Sequence, residues 1–456
     1  MTPILDRPQG FRYGLNSRTK FHPSPIAGNS RSIMNNAPND AVAWADEAIL
    51  GSSPELIDLT AELVRIPSEN PPGDTREVCD FCEDWLRGRG VDVRRIAADT
   101  SMPNLIAPVA GRGGGRPGRR LVLNAHIDTF PAGDARFWKH PPFGGEIEGG
   151  RLYGRGAVDM KGSVAAVLLI TDLAARNPEK FGGELVLTLA SDEETMGEKG
   201  SAHLLAEAPE ARGDAMLSPE NSGPRTLCFG QKGLFWVRVA ARGRGAHGAF
   251  VHRGKSAVDA LLVVLTEVRK RLGMIGPVLP LELEHYFEAA REDPRNLWIE
   301  EDREILRAVT ANVGKISGGD KVNLVAEACA AELDIRVPPG LPTDRVRKIL
   351  DEVLAVHSDV EWEELRAFDS TVSESDSPLF RVLRDEIKRV MGEEPLMALR
   401  IGATDARLFR AAGIPSATYG PTGRNIGGPD EYVDLEELTQ VASVLARTTF
   451  GFLDGS

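Results

Sequence analysis

Leu121-Val-Leu-Asn-Ala-His-Ile-Asp-Thr129 is a short apolar run that ends in an imidazole and a carboxylate. Such a run, bounded by Gly and Pro, reads as a buried strand. Its C-terminal end carries His126 and Asp128. A second run, Leu185 to Ala190, has the same texture and leads into Ser191-Asp192-Glu193-Glu194. Between the two, Gly162 to Ala175 reads as a helix. Its apolar stretch, Val164 to Ile170, falls far short of the ~20 residues a membrane span needs. Strands alternating with helices predict an α/β layer with a central, mostly parallel sheet flanked by helices. Ligands gather beyond the carboxyl ends of such strands, where both acidic clusters sit.

Upstream, Leu56, Leu59, Leu63 and Val64 recur at helical spacing behind Ser53, a candidate cap. A further helix is expected around Thr75 to Arg89. Residues 1–52, rich in Pro, Asn, Ser and Arg at their start, read as an extended arm. Downstream of Gly233 the texture changes. Leu234 to Ala240 reads as a strand and Ser256 to Leu272 as an amphipathic helix, with Leu261, Leu265 and Val268 on one face. Ala311 to Ile316 and Ala330 to Val337 read as further strands, the second alternating Ala331, Leu333, Ile335, Val337. This predicts a compact α+β unit inserted at 229–341, with an acidic stretch of unassigned structure near 275–305. The catalytic layer then spans 53–228 and 342–456.

The chain has 456 residues, with 54 Lys or Arg against 67 Asp or Glu, a net charge of −13. That acidity argues against a nucleic-acid or anionic-membrane binder, which would show a basic face. The four cysteines are too few for a disulfide framework. Cys79 and Cys82 read as thiols on one helix face rather than as half of a zinc site. The N-terminal stretch has no apolar core of a secretory signal, so a cytoplasmic setting is expected.

Four features carry chemistry: His126 with Asp128, Asp159, the pair Glu193-Glu194, and Glu220. A neutral imidazole with carboxylates is a ligand set for Zn²⁺, Mn²⁺ or Co²⁺. The His-x-Asp spacing lets Asp128 reach the second ring nitrogen of His126. Two adjacent glutamates allow one to bind metal while the other carries a proton. A lone histidine at a strand end is more often structural, and an acidic pair is more often a solvated face. Their joint position beyond strand ends in one layer argues against both plain readings.

The motifs extend well beyond these residues. They include His126-Ile-Asp128, Pro142-Phe143, Tyr153-Gly-Arg-Gly-Ala-Val-Asp159-Met-Lys-Gly162 and Ser191-Asp-Glu193-Glu194. Further on come Gly230-Gln-Lys-Gly233, Gly245-Ala-His247, Asn323, Asp334-Ile-Arg336, Thr404-Asp405-Ala406-Arg407 and Pro429-Asp-Glu-Tyr432. Together they strongly resemble the M20 family of metallopeptidases and amidohydrolases, from about residue 54 to 450. The resemblance implies that His126 and Glu220 hold one metal, with Asp159 bridging and Glu194 on a second metal. It implies Glu193 as general base and Asp128 as the residue that orients His126. It further implies that the inserted unit is a ferredoxin-like dimerisation domain whose His247 reaches the partner's site. Asn323 and Arg336 then resemble a clamp for a substrate carboxylate, which the planar Arg fork suits.

One position departs from the family. A histidine usually precedes Gly-Pro-Asp-Glu-Tyr, and here Gly427 stands in its place. A glycine offers no ligand, so one divalent metal per subunit is expected. The expected activity is hydrolysis of a C–N bond in a small carboxylate-bearing substrate, an N-acyl amino acid or short peptide. The diverged ligand set raises an alternative, an aminohydrolase of an aromatic amine such as 5-nitroanthranilate. A third reading, from a different class, is a pseudoenzyme that binds a small carboxylate or a metal without turnover. The expected partners are the substrate and further copies of the chain, as a homodimer or higher homo-oligomer.

Overall fold

A computed structural model describes residues 40–113, 118–276, 278–293 and 304–455. The expected strand forms as Arg120–His126, with every residue after Arg120 buried. It pairs in parallel with Glu184–Ala190, in a register that sets Leu121 against Leu185 and His126 against Ala190. On its other side it runs parallel to Ala215–Ser218, which is itself parallel to Ser416–Thr418. These four strands are the middle of a nine-stranded sheet among the described residues. Antiparallel strands flank them, so the sheet is mixed at its margins and parallel at its centre. The helix Gly162–Arg176 lies against this sheet with residues 162 to 174 buried. Its apolar residues explain why the run around Val164 is so uniformly hydrophobic: the helix is covered on all sides.

The inserted unit has its own sheet and core. Four antiparallel strands stand in the order Thr310–Gly318, Ala328–Val337, Gly233–Arg242, Val360–Phe368. Helices Ala257–Gly273 and Asp344–Leu354 cover the sheet through Leu261, Val264, Val268, Val346, Ile349 and Val353. In chain order this is strand, helix, two strands, helix, strand, the ferredoxin-like arrangement.

Two expected boundaries are corrected, and one unassigned stretch gains a structure. The inserted unit does not close at residue 341. Its fourth strand hydrogen-bonds along Gly233–Arg242, from Val360 opposite Ala241 to Phe368 opposite Leu234. The chain regains the large sheet only at Thr371, opposite Gln231. The arm does not extend to residue 52, because Asp40–Gly51 is a helix packed on the last helix, Leu435–Leu453. There Trp44 meets Phe450 edge-on at 5.3 Å, and Asp46 accepts hydrogen bonds from Arg447 and Ser443. The rest of the expected arm, residues 1–39, lies outside the described residues. Finally, the acidic stretch contains the helix Leu281–Glu292, and its Leu283 and Phe287 join the large core with Leu306.

Cys79 and Cys82 are buried and free on the helix Arg76–Arg87. Burial pushes the Cys79 thiol up to about 12, as an apolar site does to any group that must charge. Both thiols thus pack as small apolar groups on the buried side of this helix.

Candidate metal centre

The parallel register decides the site. Because His126 stands opposite Ala190, the loops that follow both strands leave the sheet side by side. The Ile127 N–H donates to Ala190 O at 2.8 Å and continues the ladder by one step. Asp128 therefore arrives beside Glu193 and Glu194. Its carboxylate is fully buried and accepts the backbone N–H of Glu193 at 3.2 Å and of Glu194 at 3.1 Å.

Asp128 was expected to orient His126 through its carboxylate. The closer contact is from the ring Nδ1 to the Asp128 carbonyl oxygen, 2.9 Å, with the carboxylate at 3.4 Å. A donating Nδ1–H leaves Nε2 with a lone pair. That lone pair faces Asp159 Oδ1 and Glu220 Oε1, each at 3.2 Å. A nitrogen and two carboxylate oxygens this close need positive charge between them, either a proton on Nε2 or a metal ion in its place. Burial opposes a charge on His126, yet Asp128, Asp159 and Glu220 outweigh it and hold the imidazole well above its ordinary range. The donor atoms of His126, Glu193 and Glu220 lie within 4.8 Å of one another, as do those of His126, Asp159 and Glu194. One nitrogen with several carboxylates suits a divalent metal. Burial, followed by neighbouring carboxylates, pushes Glu193 and Glu194 well above the usual carboxylate range. The Phe130 N–H donates to Glu194 Oε1 at 3.1 Å and aims it.

Asp159 reaches this point on a tight loop. Gly156 has φ +80°, and a Cβ there would meet the Thr129 methyl at 2.4 Å. Glu431 holds the loop from below. It accepts the N–H groups of Val158 and Asp159 at 3.2 and 3.3 Å and pairs with buried Arg155 at 2.5 Å. Burial, reinforced by Asp159, pushes Glu431 up to about 7, while Arg155 pulls the other way.

The structure thus brings together His126, Asp128, Asp159, Glu193, Glu194 and Glu220. His247, Asn323 and Arg336 stand apart on the inserted unit. Among the described residues, none of them hydrogen-bonds to this group. His247 and Asn323 are neighbours there, both exposed, with the Gly248 N–H donating to Asn323 O at 2.7 Å. Arg336 closes its fork on Asp334, at 2.7 and 2.9 Å.

Three supporting residues had no assigned role in the sequence reading. Asn70, buried, donates from Nδ2 towards Asp128 at 2.9 Å, Thr195 at 3.1 Å and Asp192 at 3.3 Å, tying both strand-end loops. Nothing in a single sequence marks that contact. Glu431 and Arg155 both lie inside recognised motifs, and only their pairing across the fold shows what they do.

Converging carboxylates on an imidazole, beyond the carboxyl ends of a parallel sheet, define the site of a metal-dependent α/β hydrolase. The family is equally plain: the chain belongs to peptidase family M20/M25/M40, whose model matches residues 122–450. A succinyl-diaminopimelate desuccinylase of Cereibacter sphaeroides is 30% identical over 402 residues, covering 85% of this chain and 96% of the relative. Among solved structures, an M20 family metallo-carboxypeptidase, Sso-CP2 from Sulfolobus solfataricus, superposes with a TM-score of 0.73 at 19% identity. It covers 87% of this chain and 99% of that one. A dinuclear metal-binding M20 peptidase, YXEP of Bacillus subtilis, gives 0.62 at 14% identity, covering 89% and 99%. The chain is a metal-dependent hydrolase acting on C–N bonds.

Proposed function

We propose that the chain hydrolyses the amide bond of a small carboxylate-bearing N-acyl amino acid or peptide, with Glu193 as general base. The supporting observation is the convergence of Asp159 and Glu220 on His126 Nε2, both at 3.2 Å, with Glu193 in the same pocket. In this reading His126, Asp159 and Glu220 hold one divalent cation, Zn²⁺, Mn²⁺ or Co²⁺, and Glu194 flanks it. A cation held there lowers the pKa of water towards ~7 and polarises the carbonyl.

The remaining work falls to the chain. Glu193 takes a proton as the water oxygen bonds to the carbonyl carbon, and returns it to the nitrogen as the C–N bond breaks. Its burial raises its basicity and suits that exchange, typically worth ~10²- to 10⁴-fold. Asp128 holds the Glu193 loop through backbone N–H groups. His247, with Asn323 beside it, acts across a homodimer built on the inserted unit and stabilises the developing oxyanion. One such donor is typically worth about 2.7–4 kcal/mol. Arg336 takes a substrate carboxylate by exchanging it for Asp334. Four free, buried thiols suit a reducing, cytoplasmic setting.

Gly427, where the family has a ligand, favours a second reading, deamination of an aromatic amine such as 5-nitroanthranilate. Chelator-stripped protein, resupplied with Zn²⁺, Mn²⁺ or Co²⁺, separates the two. The panel comprises N-acyl amino acids, dipeptides and aryl amines, followed by mass spectrometry and ammonia release. Free amino acid, released only when a cation is restored, is the expected result. Ammonia from the aryl amine alone would move the assignment to the second reading, and silence across the panel would contradict both.

A further inference from the structure

A cavity of about 460 Å³ opens beside Glu220, between the strands Thr226–Gln231 and Leu396–Arg400 and the helix Leu281–Glu292. That volume is within the range of small-molecule sites. Tyr286 and Phe287 of the helix, Leu306 and Met397 give it apolar walls. Among the described residues that line it, Arg400 alone is charged. The helix that supplies the aromatic wall comes from the acidic stretch after residue 275, so the wall belongs to that stretch of the chain.

Arg400 is half-buried, and two of its contacts go to Asn221: Nη1 donates to the carbonyl, and Nη2 reaches the side-chain oxygen at 3.4 Å. A guanidinium has five N–H donors. The nearest carboxylate recorded for it is Glu220 Oε2 at 3.8 Å, and Glu220 commits its other oxygen to His126. Arg336, in contrast, already has a bidentate partner in Asp334. Between the site and the cavity, Arg400 thus carries a positive charge with donors to spend, its Glu220 counter-ion held off at 3.8 Å, beyond hydrogen-bond distance.

We propose that Arg400 and this cavity form the specificity pocket of the enzyme, taking an apolar or aromatic carboxylic acid moiety. The carboxylate of this moiety, separate from the one assigned to Arg336, sits on Arg400, close to the scissile bond, and the apolar part fills the space between Tyr286, Phe287 and Met397. Charge-assisted pairing with a planar fork supplies the preference for a carboxylate. The orientation towards the scissile bond rests on the hydrolase reading above; the binding preference does not.

The test is calorimetric binding to the metal-loaded protein, with three probes: phenylacetate, its neutral isostere phenylacetamide, and acetate, which lacks the apolar part. Wild type is expected to bind phenylacetate at least tenfold more tightly than either of the others. Arg400→Gln should bring phenylacetate within threefold of phenylacetamide and weaken acetate as well, while metal content stays unchanged. Arg400→Lys, which keeps the charge and loses the fork, should fall between and serves if the glutamine variant does not fold. Equal binding of all three probes to wild type, no saturable phenylacetate binding, or a tenfold preference surviving in a folded variant would overturn the proposal. Because binding is read without turnover, an inactive substrate panel would sink the amidase reading and leave this result standing.

Discussion

Gly427 carries a φ of +72° in a loop where Asn425 and Asp430 are also left-handed, at +54° and +52°. A side chain at such an angle costs about 1–2 kcal/mol for most residues. The loop backbone is therefore shaped for glycine, and Asn425 spends its amide on Asp430 O at 3.1 Å. Gly427 offers no side chain to a second set of ligands, and the Asn425 side chain is turned to its own loop. The expected outcome is one metal retained per chain after extensive dialysis, counted by inductively coupled plasma mass spectrometry; two retained ions would contradict it. His126, Asp128, Glu193 and Glu194 were legible in the sequence because short spacing after a strand fixes where they point. Asn70 was not, since its partners lie 58 and more positions away. The geometry of Asp128 was half legible: proximity to His126 followed from spacing, but which oxygen faces the ring depended on the N–H groups of the other loop.

Elements were legible where periodicity was strong and lost where pairing is through space. The strand Val360–Phe368 follows the helix Asp344–Leu354, and its place in the small sheet is set by hydrogen bonds to residues more than a hundred positions earlier. Likewise Asp40–Gly51 is held by the last helix, which no local pattern announces. The junction between the two sheets has a titratable lock. Buried Lys232 donates to Ile305 O and Ala308 O, at 2.6 and 2.7 Å, and fastens the chain after the acidic stretch. Burial, aided by Arg336, lowers its amine from 10.5 to about 7. Between those values the unfolded chain binds more protons than the folded one, so stability rises with pH from about 7 to about 10. The contribution is lost as pH falls through about 7. Lys232→Met should therefore show a smaller rise in urea midpoint between pH 7 and pH 9 than wild type. Equal rises would mean that the Lys232 amine stays charged in the fold.

At the scale of the whole molecule, the inserted unit presents apolar surface that its own core does not cover. Leu262, Val263, Ile316, Val322 and Leu324 are exposed, Val322 fully, and the strand Thr310–Gly318 is an edge. A second copy that covered this face would hide the edge as well. His247 lies on the same unit, so the proposed dimer brings each His247 to a neighbouring site. Mixing inactive Glu193→Gln chains with inactive His247→Ala chains should then restore up to a quarter of the activity, because one site in each mixed dimer is intact. Proven subunit exchange without recovery would place His247 outside catalysis across the interface. Among the described residues no helix is long and apolar enough to cross a membrane. The account as a whole turns on Glu193. Its most direct test is the turnover of Glu193→Gln beside wild type at matched metal content, on whichever amide of the panel is cleaved. Glutamine keeps the size and cannot accept the proton, so kcat should fall at least ~10²-fold with metal content and thermal midpoint nearly unchanged; a folded, metal-loaded variant that kept more than about a tenth of wild-type kcat would show that Glu193 is not the base.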